Sequence, residues 1–167
     1  SANALDEESD MEIAASPEGY FRIAPDVRAV QRAAQALAEA TSPLMVVGDR
    51  VAQSDASTEA VRVAELLGAG VYASRYSEMN FPTSHPQFLG PIRPGYPEGR
   101  AALSKADVVL VVGKLVTGYY MFSDPSLEFV GPNTKLVHID VDANHVGSTQ
   151  RTHVGLIGDP KIALGDL

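Results

Sequence analysis

The feature that most constrains the fold is an unbroken aliphatic run from Val108 to Val112, which stops at Gly113. A run of this purity and length is typical of a strand that is buried on both faces. Such strands belong to parallel sheets, in which neighbouring strands are joined by long crossovers that are usually helices. The rest of the chain is therefore expected to alternate strands with helices.

Helical and strand patterns do alternate along the sequence. One helix is predicted to open at Pro25 or Asp26, with an apolar stripe of Val27, Val30, Ala34 and Leu37. A second is predicted to be capped by Ser54 or Asp55, with a stripe of Val61, Ala64 and Leu67 and an end at Gly68. Two shorter helices are predicted over 99–106 and from Asp159-Pro160 onward.

Strands are predicted over 44–48, 70–74, 107–113, 135–142 and 153–159, and a proline-rich loop over 81–99. Strands that alternate with helices imply right-handed crossovers. The sequence therefore predicts an α/β fold, a three-layer and mainly parallel sheet with helices on both faces.

Composition excludes several classes of function. The chain has 167 residues, enough for one domain with a sizeable core, and its net charge of -8 leaves no basic stripe for nucleic acid. It contains no secretory signal and no apolar run of about 18 residues that would span a membrane. The absence of cysteine removes disulfides, zinc-thiolate sites and thiol catalysis. We expect a cytoplasmic protein with neither a nucleic-acid nor a membrane partner.

The two ends of the chain have the character of a domain cut from a longer protein. Residues 1–4 are typical of a cloning scar, and the acidic stretch over 5–19 is typical of a linker. The last residues, 159–167, end partway into a predicted helix. We therefore expect 1–24 to be scar and linker and 25–167 to be the folded domain.

Three predicted strands end at or near residues suited to a ligand crevice: Gly48, Gly113 and Asp140. In parallel sheets, ligands bind outside the carboxyl ends of the strands. Glycine at such a position lets the chain turn sharply and lets a ligand or another backbone approach closely. A tight turn without any ligand is the commoner use of a glycine at the end of a strand, so both interpretations stay open.

Three further sequence patterns partly match known binding or catalytic motifs. The string GAGVYA at 68–73 matches a dinucleotide fingerprint, but it follows a helix and precedes a strand, the reverse of the required order, so we interpret it as a helix end. His138, Asp140 and Asp142 fall on one face of a strand, which suits ribose hydroxyls or solvated acids better than a metal ion, because ligands in one line surround an ion poorly. His85, between Ser84 and Pro86, is interpreted as part of a structural loop and not as a catalytic base.

The order and wording of these segments resemble the central domain of thiamine diphosphate-dependent enzymes, a group that includes acetolactate synthases, oxalyl-CoA decarboxylases and benzoylformate decarboxylases. The resemblance runs from about residue 25 to the end, through PLMVVGDRVAQSDASTEAVRVAELLGAGVYAS, ALSKADVVLVVG and KLVHIDVD. FPTSHPQFLG at 81–90 and the run at 113–136 look most like the benzoylformate decarboxylase branch. The resemblance implies a Rossmann-like central domain.

The same resemblance implies a three-domain parent enzyme. In that family an amino-terminal domain supplies a glutamate that activates the cofactor, and a carboxyl-terminal domain binds the diphosphate and magnesium through a GDG motif followed by asparagine. The closest string here, GDP at 158–160, lacks the second glycine. The resemblance therefore implies that this chain alone is not an enzyme and binds neither thiamine diphosphate nor Mg²⁺. Its partners would be the other domains of a homo-oligomeric lyase or transferase, a dimer or tetramer.

The resemblance also assigns a nucleotide groove. The central domain helps to hold FAD in acetolactate synthases and ADP in oxalyl-CoA decarboxylases, and holds no nucleotide in benzoylformate decarboxylases. The corresponding positions are Gly48, Asp49, Arg50, Gly113 and Asp140, with Arg50 facing a phosphate and Asp140 the ribose. We favour an empty or vestigial groove, because GDRV at 48–51 replaces the more usual glycine pair. A free-standing FAD- or ADP-binding module and a ligand-free scaffold domain are the alternatives.

One catalytic residue follows from the resemblance. In the benzoylformate decarboxylase branch, the segment after this strand carries an active-site histidine, and alignment on Gly113 puts that position at Tyr120. A phenol ordinarily titrates near 10 and cannot take up a proton at neutral pH. Its hydroxyl can still donate a hydrogen bond to a substrate carboxylate or oxyanion. The alternative is that Tyr119 and Tyr120 only pack between domains.

Overall fold

The computed structural model describes residue 10 and residues 22–74, 79–114, 129–148 and 150–167. Six strands lie in these ranges: β1 Pro43–Val47, β2 Gly70–Ser74, β3 Phe88–Ile92, β4 Val108–Val112, β5 Lys135–Asp140 and β6 Val154–Ile157. Five helices lie there too: α1 Val27–Ala38, α2 Arg50–Gln53, α3 Ser57–Leu67, α4 Pro97–Leu103 and α5 Pro160–Asp166. In this described part of the chain, no helix combines the length and the apolar character that crossing a membrane would require.

The six strands form one parallel sheet in the order β3-β2-β1-β4-β5-β6. This is the strand order of dinucleotide-binding Rossmann folds. The chain winds outward in one direction from β1 and in the other from β4, so the order reverses between these two central strands. The predicted parallel α/β fold is confirmed.

Alternate residues of β4 pack into two different apolar layers, as the predicted burial on both faces requires. Val108, Leu110 and Val112 belong to the larger layer, which α1, α3 and α5 cover. Val109 and Val111 belong to the smaller layer, which contains Leu103 of α4. Helices therefore lie on both faces of the sheet.

The start of β1 is tied to the start of β4 by Asp107. Its Oδ2 accepts hydrogen bonds from the backbone N–H of Thr41 at 2.6 Å and from the Thr41 hydroxyl at 2.7 Å, and its Oδ1 accepts one from the Ser42 N–H at 3.0 Å. These bonds, the Thr41 N–H first, lower the pKa of Asp107 to about 2. The two central strands are thus fixed in register at their amino-terminal ends.

The first two helices differ from the prediction in detail. Asp26 caps α1 by accepting from the Ala29 N–H at 2.9 Å, as expected, but Val27 is 69% exposed and does not belong to the buried stripe. The buried face is made mostly of alanine, which lets the helix lie close to the sheet; its members are Ala29, Val30, Ala33, Ala36 and Leu37.

The region between β1 and β2 holds two helices where the sequence predicts one. α2 is followed by Asp55, whose φ of 53° turns the chain, and α3 then begins at Ser57 after Ala56, so the predicted cap at Ser54 or Asp55 was wrong. The buried residues of α3 are Ala60, Val63 and Ala64. Of the predicted stripe, Ala64 is therefore buried, and Val61 and Leu67 pack against the core while remaining partly exposed. Gly68 ends α3 with a left-handed φ of 63°, as predicted.

The predicted loop over 81–99 contains the edge strand β3. Gly90 and Pro91 lie inside this strand and argue against a strand in the sequence. Proline is tolerated on an edge strand, because such a strand has a neighbouring strand on one side only. The N–H that proline lacks can then be one that would have faced solvent. The sheet therefore has one more strand than the pattern predicts.

Candidate functional site

Two glycine turns lie side by side where the strand order reverses. Gly48 follows β1 and donates its N–H to the carbonyl oxygen of Val112 at 2.8 Å, and Gly113 follows β4 and donates to Ile139 at 2.7 Å. A side chain at position 48 would place its Cβ only 3.1 Å from the carbonyl oxygen of Lys114. The two turns therefore approach each other closely as backbones at the carboxyl edge of the sheet, where the sequence predicts the ligand crevice.

Arg50 covers the second of these turns. A Cβ on Gly113 would lie 3.0 Å from both Cβ and Cγ of Arg50, and the φ of Gly113 is +88°, a value that side-chain-bearing residues rarely adopt. Asp49 precedes α2 at the same edge, is half-buried and makes no side-chain capping hydrogen bond. Close approach of this chain's own arginine thus accounts for the glycine that ends β4.

Asp140, the last residue of β5, is the buried centre of this edge. Its side chain is wholly buried, and its Oδ1 lies 3.4 Å from Nε of Arg50 and accepts the Asp142 N–H at 2.9 Å. Its Oδ2 lies 2.9 Å from Nδ1 of His145. We call Arg50, Asp140, Asp142 and His145 the Asp140 cluster.

The outer members of the Asp140 cluster are also held in place. Nη1 of Arg50 donates to Oε1 of Gln53 at 2.8 Å, and Nε2 of His145 lies 3.6 Å from Oδ2 of Asp142. Hydrogen bonds from Asn144, the backbone N–H first, lower the pKa of the Asp142 carboxyl. The partners of Asp140 are thus themselves fixed by neighbouring groups. Together with the contacts described above, this leaves both oxygens of Asp140 engaged by groups of this chain.

All five residues assigned to the groove meet at this edge: Gly48, Asp49, Arg50, Gly113 and Asp140. Whether they contact a nucleotide stays a prediction. Tyr120, the proposed catalytic residue, and its neighbour Tyr119 lie outside the described residues. Sequence reasoning missed His145, whose only signal is a histidine five positions after Asp140 in a turn-forming stretch.

His138 has a separate environment, although it shares the predicted strand face with Asp140. Its ring is buried beneath the crevice, and Nε2 donates to the carbonyl oxygen of Gly113 at 2.9 Å. Burial lowers the pKa of His138 below its usual value. Asp142 lies beyond the end of β5, so the strand itself carries only the first two of the three predicted residues.

The lowered pKa of His138 predicts a pH dependence of stability. In the unfolded chain the imidazole takes up a proton near pH 6.5, whereas in the folded chain it stays neutral to lower pH, so the unfolded state binds more protons in this window. The free energy of unfolding should therefore fall as the pH is lowered through the ordinary histidine range, and His138→Gln should flatten that fall. Urea unfolding between pH 5 and 8 measures it.

The matched control for this prediction is His153→Gln, which removes an exposed histidine whose imidazole has no partner among the described residues. This variant should keep the pH dependence of the wild-type chain. A His138→Gln profile that parallels the wild-type profile would show that the buried ring is not its source.

His85 belongs to a structural loop, in agreement with the interpretation from sequence. Its Nδ1 accepts the Gln87 N–H at 3.3 Å, its Nε2 lies 3.4 Å from Oε1 of Glu65, and its ring meets Phe81 edge-on at 5.2 Å. These contacts fix the turn that leads into β3.

Comparison with known proteins gives consistent matches. A family model described as "Thiamine pyrophosphate enzyme, central domain" matches residues 30–167. The sulfoacetaldehyde acetyltransferase of Castellaniella defragrans is 33% identical over 143 residues, which are 84% of this chain and 24% of that protein. An acetolactate synthase of Mycobacterium avium is 30% identical over 148 residues, which are 86% of this chain and 23% of that protein.

A solved structure matches as well. The benzoylformate decarboxylase of Polynucleobacter necessarius superposes with a TM-score of 0.78 at 25% identity, over 96% of this chain and 30% of that one. The chain spans about a quarter of the length of the relatives that it matches.

Proposed function

This chain belongs to the thiamine pyrophosphate enzymes, as a central domain, and we propose that it is the structural and interdomain part of a 2-oxo-acid decarboxylase or acetolactate-synthase-like enzyme. In this proposal the crevice is a vestigial nucleotide groove that the domain's own side chains fill. The other domains of the same polypeptide are its partners, in a cytoplasmic homo-oligomer. The isolated chain is inactive.

The Asp140 cluster is the observation that supports this proposal. Arg50 is the group assigned to a phosphate and Asp140 the group assigned to a ribose, yet the two pair with each other at 3.4 Å. The second oxygen of Asp140 is engaged by His145. A nucleotide would have to take the place of both partners of a wholly buried carboxylate, and a buried carboxylate that loses its partners is strongly unfavourable.

The Mg²⁺ that accompanies the cofactor of this family has no fitting site among the described residues of this chain. Among them, no group of three or more His, Asp or Glu side chains is arranged to hold a metal ion. When bound in a complete enzyme, thiamine diphosphate supplies the carbanion chemistry. We assign its diphosphate and its Mg²⁺ to the other domains and derive no step through the cofactor here.

The test is a ligand screen on the isolated chain by thermal shift and calorimetry, with thiamine diphosphate and Mg²⁺, FAD, ADP, NAD and coenzyme A. A ligand that binds the folded state raises the melting temperature by mass action. We expect no shift above noise for any of these ligands. Thiamine diphosphate binding with micromolar affinity would overturn the assignment of the cofactor to other domains.

A stand-alone nucleotide-binding module is the second candidate, favoured by the strand order and by the two glycine turns at the point where it reverses. The same screen on Asp140→Ala separates the two. An FAD or ADP shift that Asp140→Ala abolishes would support the module and its ribose assignment. A shift that survives this substitution would keep the ligand but remove Asp140 from its contacts.

The finer assignment is to the benzoylformate decarboxylase branch. The runs at 81–90 and 113–136 support it, as does the superposition over 96% of this chain. In the assembled parent, Tyr120 then serves as a hydrogen-bond donor to the substrate. Tyr120→Phe, which removes the donor, should therefore lower the turnover of the parent enzyme.

A further inference from the structure

A cavity of about 320 Å³ lies at the opposite, amino-terminal edge of the sheet. Its walls come from one face of α1 and from the starts of β5 and β6. Arg32, Gln35, Glu39, Lys135 and His153 line it, over a floor that includes Ala36. The Asp140 cluster is at the carboxyl edge, so the cavity is a separate site.

The charge of this cavity is opposite to that of the whole molecule. The chain carries a net charge of -8, yet Arg32 and Lys135 bring two permanent positive charges here against the single carboxylate of Glu39. Both oxygens of Glu39 already have partners: Oε1 accepts from Nε2 of Gln35 at 2.9 Å, and Oε2 lies 3.6 Å from Nζ of Lys135. The carboxylate thus holds the lysine at the cavity wall.

Two donors in the cavity have no partner in the described part of the chain. Neither the guanidinium of Arg32 nor the imidazole of His153 makes a hydrogen bond or ion pair there. The backbone N–H of His153 donates to the Leu136 carbonyl at 2.8 Å, which fixes His153 beside the first residues of β5. A guanidinium fork, an ammonium group and an imidazole therefore line one concave surface without a common acceptor.

We propose that this cavity binds a phosphate group. Guanidinium and ammonium groups together favour a tetrahedral anion with several acceptor oxygens, because charge-assisted hydrogen bonds to such an anion are roughly twice as strong as neutral ones. The volume is at the lower end of the range for small-molecule sites, about 300–1,000 Å³, and leaves room for a small organic group on the phosphate. This site goes beyond the proposed function and does not depend on it, and a single phosphate group held there is expected to bind with a Kd of about 1 mM, too weakly to register in the ligand screen for micromolar binding.

The experiment is a two-dimensional ¹H–¹⁵N NMR titration of the 167-residue chain with inorganic phosphate at constant ionic strength. We expect saturable shifts confined to amides around Arg32, Lys135 and His153. Arg32→Gln should weaken the affinity by about tenfold or more, because it removes the guanidinium and its charge-assisted hydrogen bonds to the anion. His153→Gln should weaken it by a smaller factor and provides a second variant.

The matched control is Arg28→Gln, which removes the same charge from an exposed position of the same helix, outside the cavity. It should leave the affinity unchanged, with thermal unfolding used to show that each variant is folded. Equal weakening by Arg28→Gln and Arg32→Gln, or shifts that never saturate, would overturn the proposal, because either result indicates only general charge attraction.

A parallel titration with glycerol 3-phosphate distinguishes the source of the phosphate group. Equal affinity for the two probes would identify the free ion as the ligand, and tighter binding of glycerol 3-phosphate would identify a phosphate monoester. Both outcomes support the site. Absence of binding for both probes contradicts it.

Discussion

Gly113→Val is expected to lower the free energy of unfolding by about 2–5 kcal/mol, from backbone strain of roughly 1–2 kcal/mol and overpacking of roughly 1–3 kcal/mol. The strain arises because the φ of Gly113 is +88°, where a β-branched residue is poorly accommodated. The overpacking arises because a Cβ there would lie 3.0 Å from Cβ and Cγ of Arg50. Urea unfolding monitored by circular dichroism measures the loss.

Gly68→Val is the matched control for the strain. Gly68 also has a left-handed φ, +63°, but a Cβ there would meet nothing within 4 Å, so its substitution should show the strain alone. Adding Arg50→Ala to Gly113→Val should recover part of the lost free energy of unfolding. The effects of the two substitutions should therefore be non-additive in a double-mutant cycle. Equal losses at the two glycines, together with an additive cycle, would show that Arg50 does not restrict position 113.

Tyr120→Phe is expected to lower the turnover of the assembled parent enzyme by about 10- to 1,000-fold, up to the effect of losing one oxyanion donor. The proposed role of the phenol is to donate a hydrogen bond to the substrate carboxylate or to the developing oxyanion, and phenylalanine keeps the ring but removes the donor. The stability of the protein should change little. Steady-state release of CO₂ from a 2-oxo acid, with kcat and KM measured separately, tests the prediction.

Tyr119→Phe is the control for this measurement, because it removes the same hydroxyl from the adjacent position. Only Tyr120→Phe should lower kcat if the alignment on Gly113 is correct. Unchanged turnover in Tyr120→Phe would remove this residue from the active site, and a loss confined to Tyr119→Phe would shift the alignment by one residue.

The fold could be predicted from the sequence because its strongest signals are local. The valine-rich run that became β4 is buried on both faces, Asp26 and Asp159 cap α1 and α5, and Gly68 ends α3. Each of these features depends on residues within a few positions of one another. Their alternation was sufficient to predict a parallel sheet.

The details that could not be predicted depend on long-range packing. β3 is a strand only because β2 lies beside it, and its own Gly90 and Pro91 argue otherwise. Val27 is exposed although it fits the helical period, because the helix presents a different face to the sheet, the one that carries Ala29, Ala33 and Ala36.

The candidate site shows the same limit. Its five residues could be placed at one edge of the sheet, since parallel strands end together. The ion pair between Arg50 and Asp140 could not be predicted, because it joins loops that are distant in sequence. The same holds for the contact of Arg50 with Gly113.

The pairing of β1 with β4 has a consequence for how the crevice comes into existence. Leu44 pairs with Gly70 on one side, within reach of a short crossover, but with Val109 on the other, across more than a third of the chain. Closing the longer loop costs more chain entropy. Gly48 and Arg50 belong to the half of the molecule that contains β1, whereas Gly113 and Asp140 belong to the half that contains β4. If each half folds before the two halves join, each contains its own part of the sheet, but the crevice is absent. The candidate site therefore exists only once β1 has paired with β4.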